Sequence, residues 1–189
     1  MDLAHDTENF RQGLKLWRIN MMLAHGLRKQ RAVQVGEYTF KSASAVYLSQ
    51  IEFLHLLLFR QPLENWLRWL YKFKLDELGS VIVNGSDQVV GYDLFMFNDG
   101  EFRQHIIHEL YVGVSQELQG QGLSTELRTF SAGMYNYGKL SAISTVAFDN
   151  DIKSLRSAQK AGFHISRRSV RPPGYYMELR LVRRLDFNE

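Results

Sequence analysis

The stretch QGQGLS, residues 119–124, decides the fold, because it separates two segments of different periodicity. The segment before it, IIHELYVGV at 106–114, is rich in β-branched and apolar residues, which favours a strand. After it, apolar residues recur at helical spacing (Leu123, Leu127, Phe130 and Met134), and Gly138 stands where a helix would end. The sequence therefore predicts a strand, a glycine-containing turn and a helix, in that order.

A turn of this composition is suited to binding phosphate groups. The first N–H groups of a helix have no intrahelical acceptor, and the helix dipole is positive at that end. Gly120 and Gly122 have no Cβ, so a phosphate can come close to the backbone. A P-loop would require Lys after the last glycine, but Leu123 follows Gly122. A dinucleotide-binding turn would stand near the start of its fold rather than past the middle of the chain.

The run resembles the cofactor signature of the GNAT superfamily of N-acetyltransferases, (Gln/Arg)-x-x-Gly-x-(Gly/Ala). Gln119 fills the first defined position and Gly122 the second. Ser124 fills the third, where it departs from the usual Gly or Ala but is still small and can donate to a phosphate.

A second block supports the same resemblance. The segment from Asn150 to Phe163 is similar to the family's Asn…Lys-x-Gly-Phe block and lies at the family's distance from the signature. Asn150 is predicted to cap a helix N-terminus, and Gly162 to close that helix in a left-handed turn. The resemblance is specific from about residue 80 to residue 163 and weak outside that range.

The resemblance implies an α/β (α+β) architecture, the GNAT fold. Its central sheet is mixed and mostly antiparallel, it contains a splayed pair of parallel strands, and helices flank it. Residues 1–189 are expected to form a single GNAT-like acyltransferase domain, in which residues 1–30 are an additional N-terminal helical extension.

Hydrophobic periodicity places the elements along the chain. The predicted helices cover about 7–28, 42–59, 66–73 after Pro62, 123–138 and 150–162, and the predicted strands 32–40, 80–84, 88–97, 105–114, 140–148, 165–170 and 175–183.

The resemblance also implies a binding site for acetyl-CoA, or another acyl-CoA, as co-substrate. The pantetheine arm would lie between the strands at 105–114 and 140–148 and pair with the backbone near Val112 and Val114. Asn150 would contact the pantetheine or the leaving sulfur. The signature loop would hold the pyrophosphate through Gln119, Gly120, Gln121, Gly122, Leu123 and Ser124.

Glu109 is the candidate general base, because family members commonly place a glutamate on this strand. The alternatives are that Glu109 is a solvated or salt-bridged strand residue, or that His105 or His108 acts instead. Ala158 occupies the position where many members carry a tyrosine that protonates the thiolate. Tyr175 or Tyr176 could replace it, as could water with Ser154, or the reaction could proceed without a dedicated acid.

The predicted function is transfer of an acetyl or other acyl group from acyl-CoA to a primary amine, with a small molecule such as an amino sugar, polyamine or amino acid as acceptor. Two alternatives stay open: a protein N-acetyltransferase, and a non-catalytic regulatory domain that binds coenzyme A. Trp66, Trp69, Tyr71 and Phe73 could line an acceptor pocket or pack in the core.

The composition excludes several classes of protein. The 189 residues contain no cysteine, which excludes disulfides and thiolate nucleophiles, and no metal site is predicted. The acidic N-terminus is unlike a secretory signal, and the longest apolar stretch, 54–59, is too short to cross a bilayer, so we expect a soluble cytoplasmic protein. A net charge of +3 without a dense basic stripe argues against nucleic-acid binding. The sequence is compatible with a homodimer.

Overall fold

The computed structural model describes residues 3–170 and 172–181, with side chains described from residue 11 onwards. Its helices are α1 (Leu3–Leu23), α2 (Leu48–Phe59), α3 (Asn65–Leu78), α4 (Leu123–Tyr135) and α5 (Ile152–Lys160). Its strands are β1 (Val33–Val35), β2 (Tyr38–Ser42), β3 (Gly79–Val83), β4 (Val89–Met96), β5 (Ile106–Val114), β6 (Ala142–Phe148), β7 (His164–Val170) and β8 (Pro173–Arg180).

All eight strands belong to one sheet with the order β1-β2-β3-β4-β5-β6-β8-β7. Only β5 and β6 pair in parallel, and the other neighbours are antiparallel. The predicted architecture is therefore confirmed: a mixed, mostly antiparallel sheet with helices and an additional helix at the N-terminus.

Two predicted elements are corrected. The segment 32–40 is not one strand but part of the hairpin β1–β2, because Gly36 turns the chain with a φ of 59°. The first helix ends at Leu23 rather than near residue 28, and Gly26 has a φ of 83° in the connection that follows. The predicted end of the last strand, residues 182 and 183, lies outside the described residues.

The helices cover both faces of the sheet. Phe130 of α4 packs with Phe40 and Ile82 on one face. On the other face, His55 of α2 bonds to Tyr92 of β4. Because neighbouring residues of a strand point to opposite faces, each buried strand contributes to both layers of the core.

A buried asparagine fixes α1 against the end of β4. The Asn20 side chain donates to the Phe97 carbonyl at 3.0 Å and accepts from the Phe97 N–H at 2.7 Å. Asn20 is fully buried, so loss of these bonds would leave polar groups without partners. This pair of bonds holds α1 beside the strands that form the candidate site.

The parallel strands β5 and β6 separate along their length. Their register covers only Ile106–Ala142, Ile107–Ile143 and His108–Ser144, although both strands continue further. On its other side, β5 is irregular where Leu94 faces Tyr111 and Phe95 faces Glu109, which leaves Leu110 unpaired. Such a bulge bends the strand locally, and the divergence opens a gap in the sheet.

No helix within residues 3–170 and 172–181 combines the length and the apolar character that a membrane crossing requires.

Candidate active site

The gap between β5 and β6 opens into a cavity of about 270 Å³. Val112, Gly113 and Val114 of β5 form one wall. Leu58 and Phe59, at the end of α2, close it on one side. The first turns of α4 and α5 complete it, so two helix N-termini meet at the same cavity.

The loop at the start of α4 presents its backbone to this cavity. Gly120 and Gly122 have φ values of 87° and 89°, in the left-handed region that favours glycine. No heavy atom lies within 4 Å of a Cβ built on either residue, so the space above them is open. Within the described residues, the N–H groups of residues 120–122 have no backbone acceptor. The loop therefore offers free donors and space together, which is what a phosphate requires.

Seven of the nine residues predicted to bind the cofactor line this cavity: Val112, Val114, Gln119, Gly120, Gly122, Leu123 and Ser124. Gln121 lies outside the lining although it belongs to the same loop. Asn150 is exposed and also outside the lining. The expected N-cap at Asn150 is wrong, because the side chain of Asp151 accepts the N–H of Ser154 at 2.9 Å.

The cavity also contains residues that sequence reasoning missed, among them Arg128 of α4 and Lys153 and Ser157 of α5. Arg128 and Lys153 supply positive charge, and Ser157 supplies a hydroxyl in addition to that of Ser154, which was predicted as a possible aid to the leaving thiolate. The Ser157 hydroxyl lies 2.9 Å from that of Ser124, which joins the first turn of α4 to the second turn of α5. The sequence did contain one signal for Lys153, because a lysine in the first turn of a helix that follows a strand is well placed to contact a phosphate.

Glu109, the predicted base, forms a buried ion pair with Arg128. The Nε of Arg128 lies 3.0 Å from both carboxylate oxygens, and its Nη2 lies 2.9 Å from Oε2. Both side chains are only 2% exposed. The guanidinium also donates to the carbonyl and hydroxyl of Ser154, each at 3.2 Å. The pair thus connects β5, α4 and α5 at the cavity, and the catalytic role of Glu109 stays a prediction.

A second carboxyl lies behind this pair. Asp93 of β4 is fully buried, and neither of its oxygens has a hydrogen-bond partner within the described residues. Burial, together with the negative charge of Glu109, raises the pKa of Asp93 well above its usual value. The raised pKa favours the neutral form of Asp93, and the carboxylate that is hydrogen-bonded to Arg128 is that of Glu109.

His108, the alternative base, belongs to a polar network around Glu101. Its Nδ1 lies 2.8 Å from the Ser144 hydroxyl and 3.5 Å from a Glu101 oxygen. Burial lowers the pKa of His108, although the charges of Glu101 and Glu109 oppose this change. His105, by contrast, ends a short 3-10 turn with a φ of 58° and precedes the strand.

The two candidate tyrosines occupy different environments. Tyr176 is 7% exposed, and its hydroxyl donates to the carboxylate of Glu101. Tyr175 is half-buried, and the guanidinium of Arg168 lies 4.6 Å from the centre of its ring. Neither lines the 270 Å³ cavity, and Ala158 is fully buried, whereas Ser154 does line it.

An aromatic cluster packs between α2 and the strands β4 and β5. His55 is fully buried, with its Nδ1 2.7 Å from the Tyr92 hydroxyl. Its ring stacks on Phe59 and meets the edge of Tyr111. Burial lowers the pKa of His55 to about 4, so the imidazole is neutral in the folded protein at pH 7.

This burial predicts a pH dependence of stability. Unfolded His55 binds a proton near pH 6.5, whereas folded His55 does so only near pH 4, so acidification through this window favours the unfolded state. The free energy of unfolding should fall with decreasing pH in the wild type. We expect His55→Phe to reduce the slope of that fall by up to about 1.4 kcal/mol per pH unit. Urea titrations at pH 7, 6, 5 and 4 measure it, with the exposed His164→Gln as control. Equal slopes in wild type and His55→Phe would contradict the prediction.

Within residues 3–170 and 172–181, no cluster of three or more His, Cys, Asp or Glu residues is arranged to hold a metal ion.

Several solved structures share the overall fold of this chain. Ard1 from Thermoplasma volcanium superposes with a TM-score of 0.63 at 13% identity, over 77% of this chain and 99% of that one. The NatC complex bound to Gag peptide and CoA matches with a TM-score of 0.65 at 15% identity, over 77% and 98%. A dodecameric spermidine N-acetyltransferase from Vibrio cholerae matches with a TM-score of 0.61 at 15% identity, over 82% and 100%. The chain has the GNAT fold.

At 13–15% identity, these similarities show the GNAT fold alone. No protein-family profile matches the sequence, and no curated protein matches it.

Proposed function

We propose that the protein transfers an acetyl or other acyl group from acyl-CoA to a primary amine of a small molecule. The observation that carries the proposal is the junction of diverging strands with an open, donor-rich loop at the start of α4. The strands leave backbone groups of β5 free for an extended pantetheine, and the loop suits a pyrophosphate. One protein of the same fold was solved with CoA bound, which supports the same donor.

In the proposed reaction, the amine nitrogen attacks the carbonyl carbon of the thioester. The C–N bond forms, the C–S bond breaks, and CoA leaves as the thiolate. The amine must lose a proton, which Glu109 would accept directly or through water. Both Glu109 oxygens accept hydrogen bonds from Arg128. One of these hydrogen bonds would therefore have to break before that oxygen could accept the proton of the amine.

The hydroxyls in the cavity are the candidates for assisting the leaving thiolate. Ser154 and Ser157 line the cavity, and Ser154 is one helical turn before Ala158. Lys153, in the first turn of α5, would supply a positive charge to the phosphate groups of the cofactor. Gln121 and Asn150 are retained as proposed cofactor contacts from the sequence resemblance alone.

A thiol-release assay tests the proposal. Acetyl-CoA is mixed with the protein and a panel of primary amines, and free CoA is measured with a thiol reagent. We expect release that requires both the protein and an amine, and that rises with amine concentration. Butyryl-CoA and octanoyl-CoA, each with the same amines, identify the acyl group.

The regulatory alternative makes a different prediction. A protein that only binds CoA would show a higher melting temperature with acetyl-CoA but no thiol release with any amine. A protein that neither shifts its melting temperature nor releases thiol would contradict both functions.

A further inference from the structure

Two further cavities adjoin each other at the N-terminus of α3. The first, of about 450 Å³, lies between α1, α3 and β5 and is lined by Leu110 and Tyr111. The second, of about 630 Å³, lies between α1 and α3. Gly13, Glu64 and Trp66 line both, so the two cavities adjoin at these residues. Each is large enough for a small organic ligand.

The first cavity borders the strand next to the proposed cofactor site. Leu110 and Tyr111 line it, whereas the next three residues, 112–114, line the cavity assigned to the cofactor. The bulge at Leu110 is the place where β5 passes from one cavity to the other. A ligand in the first cavity would therefore lie beside Tyr111, the residue of β5 that directly precedes the proposed cofactor site.

The lining of the second cavity is predominantly apolar. Leu14, Trp17, Trp66 and Trp69 surround it. The lining therefore includes all three tryptophans of the chain, Trp17, Trp66 and Trp69. Trp69 is 57% exposed, and so is not held there by the core. Contiguous exposed apolar surface of this kind is a feature of ligand-binding grooves and other interaction sites.

Glu64 is the one charged residue among the described residues that line either cavity. Its carboxylate accepts the indole N–H of Trp66 at 2.5 Å. Glu64 and Tyr111 line the same cavity, and burial together with the negative charge of Glu64 raises the pKa of Tyr111. The negative charge thus stands at the end of the apolar cavity that is nearer to β5.

We infer that the acceptor is a primary amine attached to a large apolar or aromatic group, with its ammonium beside Glu64 and its apolar group among the three tryptophans. A polyamine would bring several charges to a region with one carboxylate. An amino sugar would bury hydroxyls against aromatic rings that offer few partners, at a cost for each unpaired group. The inference rests on the proposed function for the reaction, but amine binding can be measured without it.

Tryptophan fluorescence reports on this site specifically, because all three indoles line it. The protein is titrated with 2-phenylethylamine, 2-phenylethanol, spermidine and glucosamine, each with and without CoA. We expect half-saturation by 2-phenylethylamine at a concentration at least about tenfold below that of spermidine or glucosamine. The alcohol has the same apolar group without the charge, so it should bind more weakly than the amine.

Two variants separate the charge from the apolar surface. Glu64→Gln should weaken binding of 2-phenylethylamine by about tenfold while leaving 2-phenylethanol unchanged, since only the amine is charged. Trp69→Ala should weaken both, because it removes apolar contact area. Glu37→Gln, at an exposed position outside both cavities, is the matched charge control and should change neither.

The outcomes distinguish the inference from the proposed function. Thiol release with spermidine or glucosamine but not with 2-phenylethylamine would overturn the inference and leave the function intact. Saturable binding of 2-phenylethylamine without thiol release would support the inference and count against catalysis. A fluorescence response to octanoyl-CoA that blocks the amine would mean that the cavity holds a long acyl chain, and the inference would be wrong. The absence of any response at millimolar amine would also overturn it.

Discussion

Arg128→Met is expected to lower the free energy of unfolding by about 3–5 kcal/mol, the usual cost of removing one partner from a buried ion pair. The substitution would leave the Glu109 carboxylate 2% exposed and without its counter-ion. It would also remove the hydrogen bonds to Ser154 that connect α4 with α5. Urea denaturation at pH 7 measures the effect.

Glu109→Gln should be less costly than Arg128→Met, because a second carboxyl lies nearby. The negative charge of Glu109 contributes to the raised pKa of Asp93, whereas the charge of Arg128 lowers that pKa. With the charge of Glu109 removed, the pKa of Asp93 should fall, which favours a carboxylate that offsets the charge of Arg128. The double variant Glu109→Gln/Arg128→Met has no buried charge at this pair and should be more stable than Arg128→Met alone.

An exposed ion pair provides the control for this comparison. Arg168 and Asp149 are paired at 2.6 Å, with side chains 55% and 39% exposed. Exposed pairs contribute about 0–1 kcal/mol, so Arg168→Met should cost much less than Arg128→Met. Equal losses for the two variants would contradict the assignment of a structural role to the Glu109–Arg128 pair.

The same variants test the proposed base. If Glu109 accepts the proton of the amine, both Glu109→Gln and the double variant should lower kcat/KM by about tenfold or more, most strongly at low pH. If the carboxylate only holds Arg128 in place, Glu109→Gln should keep its kcat wherever it is folded. A pH–rate profile identical to wild type would therefore leave Glu109 with a structural role and direct attention to His108.

Local features of the sequence predicted the fold well. The strand β5, the loop at 119–124 and the helix α4 were predicted because alternation, helical spacing and glycine each act on neighbouring residues. The one error of topology has a local cause as well. Gly36 interrupts an alternating segment, and its φ of 59° makes a hairpin where alternation alone favoured a single strand.

The partners of the site residues could not be predicted in the same way. Glu109 and Arg128 are 19 positions apart, and they meet only because α4 packs across β5. In sequence, Arg128 follows the buried Leu127 and would be assigned to the solvated face of an amphipathic helix. Asp93 is a similar case, because nothing in its neighbourhood in the sequence indicates a carboxyl that is fully buried.

The roles of the aromatic residues near the proposed acceptor site depended even more on tertiary structure. The aromatic residues of α3 were predicted either to line a pocket or to pack in the core, and the structure divides them. Tyr71 is fully buried, with its hydroxyl bonded to the Phe95 carbonyl, whereas Trp66 and Trp69 face the cavities beside α1. Helical spacing alone cannot make this distinction, because it depends on where α1 lies.

Gly122→Asp is expected to abolish the effect of acetyl-CoA on the melting temperature. Wild-type protein at a cofactor concentration about 100 times Kd should gain about 2.7 kcal/mol of stability, provided that the cofactor binds only the folded state. The Asp side chain would enter the open space above Gly122, where its negative charge repels a pyrophosphate and its atoms occupy the space that the phosphate requires.

Two matched variants separate this effect from backbone strain. Gly122→Ala adds only a Cβ at a φ of 89°, so it should lower stability by about 1–2 kcal/mol but keep most of the acetyl-CoA shift. Gly36→Asp introduces the same side chain at a φ of 59°, also in open space but in the β1–β2 turn, and should keep the full shift. A full shift in Gly122→Asp would contradict the assignment of the loop to the pyrophosphate. Loss of the shift in Gly36→Asp would mean that the effect comes from strain or net charge rather than from the binding site.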